Sequence, residues 1–292
     1  MNGKRLAFIY ADRKKVDDFY QLKTGLFEAF KYLPKNFEVR VFVLSDQMNV
    51  HQYGSYDIYF RNTYKALQYA VKDVFEPTHT FIIGNGASNF DELPINKKKP
   101  NYLIHKGSSH DKSLSSLFDK VIVEIPEDAE EYSNSIYKMV VNTDIYKPLD
   151  MGKYFTVCYP QSLVATPDLD LFNKARVFGS ISANLDTTVK IPLNSSLVRQ
   201  TIFNQSKAVV LLNEDDSVET ALSALACNVP VVATKDIKAS YVPGVVTSTA
   251  TVPDLPNITL KALNMRYNFR DAYIIPNFQP QSYAKMIVEL TK

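Results

Sequence analysis

Short apolar runs recur along this chain, each bounded by polar or turn-forming residues. They are separated by segments whose apolar positions fall three and four residues apart. The runs are rich in Val, Ile, Phe and Tyr and read as buried strands, whereas the intervening segments read as amphipathic helices. In the first half the pattern predicts strands at Arg5–Tyr10, Phe37–Ser45, Tyr56–Phe60, Thr80–Ile83, Asn101–His105 and Lys120–Ile125. Helices are expected over Asp17–Tyr32, Tyr64–Val74 and Lys112–Phe118, and Glu127–Tyr132 reads as an acidic surface segment. A strand ending at Val141 leads into the turn-formers Asn142 and Asp144, and Pro148 stops the sheet from extending.

The pattern then restarts. Strands are expected at Tyr154–Cys158, Ala175–Phe178, Lys190–Ile191, Lys207–Leu212, Val229–Ala233 and Val245–Thr247. Helices are expected at Ser195–Gln205, capped by Ser195 or Asn194, and near Thr259–Phe269 and Gln281–Leu290. Strand–helix alternation over the whole length points to parallel sheets covered on both faces, arranged as two α/β domains facing a cleft. Ligands are then expected at the carboxyl ends of the strands.

Composition narrows the class. At 292 residues, 46% hydrophobic and 22% charged, the chain reads as globular and large enough to bury its core without disulfides. A formal charge of +2 does not by itself mark a nucleic-acid or membrane protein. Cys158 and Cys227 stand far apart in apolar sequence and read as buried free thiols in a reducing compartment. The apolar run Leu6–Ala11 is too short for a secretion signal, and no run approaches a membrane span, so the expected location is the cytosol. Trp is absent beside 18 Tyr and 17 Phe, with much Asn and Lys, which fits an AT-rich genome of a bacterium or a large phage. Of mechanistic motifs, G-x-x-x-x-G-K-S/T, G-x-G-x-x-G and G-x-S-x-G are missing, and no His, Cys or Asp cluster has metal-ligand spacing. No metal and no tightly bound cofactor is therefore expected.

The densest signal is Asp215–Thr234, DDSVETALSALACNVPVVAT. An acidic turn enters an Ala-rich helix that can lie close to a sheet. Asn228 can end the helix in the left-handed region, and Pro230 prevents its continuation. The helix start offers backbone N–H groups to anions.

This segment resembles the donor-site signature of GT-B glycosyltransferases, above all the family 4 form E-G-F-G-x-x-x-x-E-A-M-A-C-G-x-P-V-V-A. The match is close over Ala226–Ala233, whereas the glycines of the front half are gone. Tyr137–Pro148 is similar to the V-x-x-N-G-V-D-x-x-x-F-x-P segment that joins the two halves of such enzymes. Asn142, Asp144 and Pro148 match, and Tyr146 lies near the aromatic position. The resemblance implies an α/β GT-B fold with two Rossmann-like domains. Residues 1–146 would be the acceptor side and 147–277 the donor side, and a closing helix, 278–292, would return to the first domain. It also implies transfer from a nucleotide sugar, most often UDP-linked, with retention of configuration.

Carried over position by position, the resemblance puts Asp215 near the sugar and Ser223 where the second Glu would hold the ribose. A serine cannot hold two hydroxyls as a carboxylate does. Glu219, one turn earlier, is the alternative ribose acceptor, and Ser217 and Thr220 can serve the diphosphate. The family's cations are missing from Tyr154–Ser162, so the candidates to neutralise the leaving group are Lys153, Lys190, Arg199 and Lys235. His105 lies where family 4 enzymes place a histidine on the donor sugar. On the acceptor side, Asp12 follows the first strand and can act as base in an inverting reaction. Beside it, Arg13, Lys14 and Lys15 can meet phosphates. Gly84-Asn85-Gly86 permits close backbone approach, with Asn85 facing a ligand. The Lys97–Pro100 run reads as a solvated loop.

The acceptor stays open. Phage enzymes that glycosylate hydroxymethylated cytosine in DNA show a similar degenerate signature, and residues 1–123 carry 18 Lys and Arg against 13 Asp and Glu. Double-stranded DNA, with a base flipped into the cleft, is one acceptor, in the host cytoplasm if the chain is phage-encoded. A polysaccharide or a small molecule is another. The rival readings are a non-catalytic GT-B binding or scaffold protein and a sugar-nucleotide epimerase.

Overall fold

The structure, a computed structural model, describes residues 3–14, 16, 25–84, 88, 90–106, 111–160, 188–191, 196–211, 217–248, 255–265 and 268–292. The chain divides into two compact units. One comprises Met1–Gln21, Leu26–Met139 and Pro280–Lys292, and the other Leu22–Gly25 and Val140–Gln279.

The first unit is built on strands β1 (Lys4–Tyr10), β2 (Phe37–Leu44), β3 (Asn49–Tyr53), β4 (Tyr56–Arg61), β5 (His79–Gly84), β6 (Asn101–His105), β7 (Lys120–Val123) and β8 (Ser135–Tyr137). They form one sheet in the order β3-β4-β2-β1-β5-β6-β7-β8, parallel except where β3 meets β4. Its helices are α1 (Gly25–Ala29), α2 (Tyr64–Tyr69), α3 (Leu114–Leu117) and α4 (Pro126–Glu131). Leu6–Ile9 is apolar without alternation because both faces of the sheet are covered. On one face Ala7, Ile9, Ile82 and Leu103 join Val71 and Phe75 in the core. On the other, Phe8 stacks on Phe81 at 4.7 Å and meets Phe30 at 4.5 Å.

The second unit carries β9 (Phe155–Pro160), β10 (Thr188–Ile191), β11 (Ser206–Leu211), β12 (Val231–Thr234) and β13 (Val246–Ser248), all parallel in the order β10-β9-β11-β12-β13. Helices α5 (Ser196–Gln205), α6 (Ser217–Ala226), α7 (Leu255–Leu263) and α8 (Ile275–Asn277) belong to it. Ala221, Ala224 and Ala226 of α6 are fully buried, the close approach that the small residues predict. Asn228 ends the helix at φ 59°, in the left-handed region. Its side-chain oxygen also accepts the backbone N–H of Arg270 at 2.8 Å, a bond that glycine cannot make. The last helix, α9 (Pro280–Leu290), belongs to the first unit, where Leu290 O accepts the Tyr102 hydroxyl at 2.6 Å.

Four expectations need correction. Between the strands expected at Phe37–Ser45 and Tyr56–Phe60 lies a further one: β3, carrying His51, is an edge strand that pairs with β4 through the two-residue turn Gly54-Ser55, with Gly54 at φ 64°. Glu127–Tyr132 is not a plain surface segment. Pro126 opens α4 at its first turn, and Asp128 and Tyr132 are buried. The strand expected to end at Val141 ends at Tyr137. Met139 and Val141 are buried outside the sheet, and Val141 N–H donates to Phe278 O at 3.1 Å. The helix expected over Thr259–Phe269 instead runs Leu255–Leu263, followed by a separate π-helical turn at Arg270–Ile274. The strand expected at Ala175–Phe178 lies outside the described residues.

Candidate functional site

In an open parallel sheet, ligands bind where the strand order reverses, outside the carboxyl ends of the strands. In the second unit the chain steps from β9 to β10 and then returns to the other side of β9 as β11. The crevice therefore lies beyond Pro160 and Leu211, and the helix that follows β11 is α6. Its first turn carries Ser217, Glu219 and Thr220.

Behind that turn lies a buried polar cluster. Arg199 of α5 is 1% exposed. Its Nη2 donates to Thr220 Oγ1 at 2.9 Å, and its Nη1 lies 3.8 Å from Glu219 Oε1. Arg199 Nε has no acceptor among the described residues. A buried guanidinium thus links two of the predicted donor residues to a neighbouring helix. The third, Ser223, is fully buried one turn on, beside the Tyr146 phenol. Burial raises the Tyr146 pKa, Arg199 and the Ser196 and Ser223 hydroxyls oppose the rise, and Glu219 adds to it.

The segment 142–149 is tied down to the same helices. Asn142 Oδ1 accepts Asp144 N–H and Ile145 N–H, each at 3.2 Å, an Asx turn. Arg270 donates to Thr143 O at 3.0 Å, Tyr146 O at 2.6 Å and Ala226 O at 3.1 Å. From α5, Asn204 donates to Lys147 O at 3.0 Å and accepts Leu149 N–H at 2.7 Å, and Gln200 donates to Ile145 O. Arg270, Asn204 and Gln200 escaped the sequence reading because each works through backbone carbonyls, which leave no spacing signature.

In the first unit the order reverses between β1 and β5. Asp12 follows β1 there and accepts the Ser88 hydroxyl at 3.3 Å. The two loops touch at Gly84, where a Cβ would sit 2.8 Å from Ala11 Cβ and 2.8 Å from Ser88 Oγ. Glycine is required at Gly84 by the close approach, not by its φ. Arg13 is exposed, but its guanidinium is engaged by Ser45 O and by Asn62 O at 3.2 Å, which ties the ends of β1, β2 and β4 together. Lys14 is exposed, with its backbone N–H on Leu44 O at 2.8 Å. His105 ends β6, buried, with its ring 5.5 Å from that of Tyr132. The adjacent Lys106 is paired with Glu124.

Topology sorts the spare cations. Lys235 directly follows β12, at a carboxyl end, whereas Lys153 precedes β9, at an amino end. Lys153 lies near both buried thiols, and burial lowers its pKa. Asp215, Lys15 and Asn85 lie outside the described residues, as do the side chains of Ser217 and Lys190. Among the described residues no helix is long and apolar enough to cross a membrane.

No family model matches the chain, and no curated protein matches its sequence. Solved structures do match its fold. Sucrose-phosphate synthase from Thermosynechococcus elongatus is 11% identical, with 98% of each chain covered and a TM-score of 0.64. HepE from Anabaena, solved with UDP and glucose, is 12% identical with 98% of each chain covered and a TM-score of 0.57. UDP-GlcNAc 2-epimerase from Methanocaldococcus jannaschii is 12% identical, covering 98% of this chain and 99% of that one, with a TM-score of 0.57. Identities this low speak to the fold alone, and the fold is GT-B, with two Rossmann-like α/β units.

Proposed function

We propose that this protein is a glycosyltransferase that moves a sugar from a nucleotide sugar, UDP-linked, to an acceptor hydroxyl. The observation that carries the reading is the placement of α6: it starts at the switch point of the second unit, with Glu219 and Thr220 held from behind by Arg199. Glu219 is about one-third exposed and free to accept the ribose hydroxyls. The helix start and Lys235 stabilise the departing diphosphate. The fold relatives include a structure solved with UDP and glucose, which supports a nucleotide-sugar donor.

The reaction proposed is retaining. The bond from the anomeric carbon to the diphosphate oxygen breaks, the acceptor oxygen bonds from the same face, and the acceptor proton passes to the departing diphosphate. Asp12 then orients the acceptor rather than serving as an obligatory base. A neutral hydroxyl acceptor is favoured over a DNA backbone because Arg13 and Lys106 are already engaged, which leaves Lys14 as the exposed described cation beside Asp12.

Calorimetry with UDP, GDP and their sugars tests the donor reading, and absence of binding by all of them would sink it. Glu219→Gln and Lys235→Gln are expected to weaken UDP at least about tenfold each, a change of ~1.4 kcal/mol. Equal weakening by Glu131→Gln, on α4, would refute the assignment. Transfer assays against hydroxymethylcytosine DNA, glycans and small alcohols then identify the acceptor.

A further inference from the structure

The amino ends of the first sheet hold a feature that the transfer chemistry does not use. A cavity of about 730 Å³ opens at the starts of β6 and β7, lined by Lys72, Lys97, Lys98 and Lys99 together with Asn101 and the carboxylates Asp91 and Asp119. A smaller hollow of about 310 Å³ adjoins it and shares Lys72, Lys97 and Lys99. The volume is that of a small-molecule site. Parallel strands of five residues separate this end from Asp12 and His105 by roughly 15–20 Å.

The lysines are displayed on a fixed turn. Asn101 Nδ2 donates to Asn96 O at 2.9 Å and Lys99 O at 2.6 Å, Lys98 N–H donates to Asn96 Oδ1 at 3.0 Å, and Lys99 N–H donates to Asn96 O at 3.0 Å. Their four charges outnumber the two carboxylates of the wall, Asp91 and Asp119. Lys99 gives its ammonium to a carbonyl, Pro77 O, at 2.8 Å, and no ion pair of Lys72, Lys97 or Lys98 occurs among the described residues. Of the carboxylates in the wall, Asp119 is occupied by Asn101 N–H at 2.7 Å. Asn101 itself is 3% exposed and keeps a side-chain oxygen with no donor among the described residues. Several ammonium groups held around one hollow repel each other unless an anion sits between them. Lys4 and Arg5 open β1, with Arg5 paired to Glu76 at 3.6 Å, and Lys120 opens β7.

We propose that this basin binds a compact phosphate-bearing small molecule with at least two adjacent phosphate charges, independently of the donor site. Ammonium groups suit phosphate as point charges without demanding a bidentate geometry. A buried carbonyl without a donor, at the wall, suits a ligand hydroxyl or a water that it orders.

The test is calorimetry with inorganic pyrophosphate on the full chain at low and high salt. It uses the wild type, the triple variant Lys72→Gln/Lys97→Gln/Lys98→Gln and the control Lys285→Gln on α9. The three lysines are exposed, so the fold is expected to survive, and circular dichroism checks it. Binding is expected to weaken at least about tenfold in the triple variant and as salt rises, with the control unchanged. UDP binding at the donor site should be the same in all three proteins, which separates this proposal from the donor reading. Pyrophosphate affinity unaltered in the triple variant overturns the proposal. So does glucose 6-phosphate binding as tightly as pyrophosphate, because the claim is for adjacent charges. Duplex DNA that binds in a triple-sensitive way where pyrophosphate does not would replace the proposal with a nucleic-acid surface.

Discussion

Arg199 offers the sharpest test of how the second unit is organised. Its guanidinium is almost fully buried, and among the described residues its partners on α6 are Thr220 Oγ1 at 2.9 Å and Glu219 Oε1 at 3.8 Å. At an effective dielectric near 20, a pair 3.8 Å apart has a gross attraction of about 4 kcal/mol. Desolvation consumes much of that, so the net value of the pair is small. Removing one partner is different, because it strands the other: about 3–5 kcal/mol for a fully buried pair. Glu219 is 30% exposed and water can take it back, which places Arg199→Ala near the low end, about 3 kcal/mol. Arg199→Lys keeps the charge but loses the fork, and is expected to recover about half. Hydrogen–deuterium exchange of peptides from α5 and α6, together with urea unfolding, reads this locally without assuming that the two units unfold together. The Arg199→Ala/Glu219→Gln double variant should be less destabilised than the sum of the singles by about 1 kcal/mol or more. Additivity within about 0.3 kcal/mol, or a cost for Arg199→Ala below about 0.5 kcal/mol, would refute the coupling. If the pair holds Glu219 in place for ribose, Arg199→Lys also weakens UDP while leaving circular dichroism unchanged.

Three further outcomes follow from single sites. Gly84→Ala places a methyl 2.8 Å from Ala11 Cβ and is expected to cost about 1–3 kcal/mol; Ala11→Gly in the same chain should restore most of it, and a fully stable single variant would show that the loops move apart freely. Burial pushes the thiols of Cys158 and Cys227 up to about 12, so at pH 8 a disulfide reagent should label the native protein about a thousandfold more slowly than a free thiol, and rapid native labelling would contradict the burial. His79 has its pKa lowered by burial first and by Lys4 second. Between that lowered value and 6.5 the unfolded chain binds the extra proton, so stability falls as pH drops through this window. His79→Gln should flatten that part of the denaturation profile, and an unchanged slope would assign it to other groups.

Much of the fold was legible because its strands are covered on both faces and write themselves as apolar runs; Asn101–His105 was read to the residue. β3 escaped because an exposed edge strand of Asn, His, Gln and Tyr has no apolar face to announce it, and the Gly54-Ser55 turn was its only mark. α4 escaped because acidic residues hid the buried Asp128 and Tyr132. At the site, Glu219 and Thr220 could be named from their place in a helix start. Arg199 could be named only as one cation among several, since its partners lie 20 and 21 positions away and become neighbours through helix packing. Arg13 shows what the sequence leaves out. A cation after a strand reads as a phosphate ligand, and the structure adds that its guanidinium also donates to Ser45 O and Asn62 O.

Where the chain differs from the family 4 signature that it resembles, the residues present can be weighed by their physical chemistry. Asn228 replaces the usual glycine, tolerates the same left-handed conformation, and adds a bond to Arg270 N–H. Arg270 in turn holds Ala226 O at the end of α6 together with Thr143 O and Tyr146 O, placing a cation at the negative end of the helix. Ser223 replaces the second Glu at a fully buried position beside Tyr146. A carboxylate there would have to give up its hydration next to a buried phenol, whereas a hydroxyl costs far less. One turn earlier, the carboxylate of Glu219 is partly open to solvent and has a cation behind it. The chain thus links a buried Arg199 to the buried Thr220 and the partly exposed Glu219 at the start of α6. The proposed donor reading places the ribose contact on Glu219, partly open to solvent and backed by Arg199, rather than at the buried position 223.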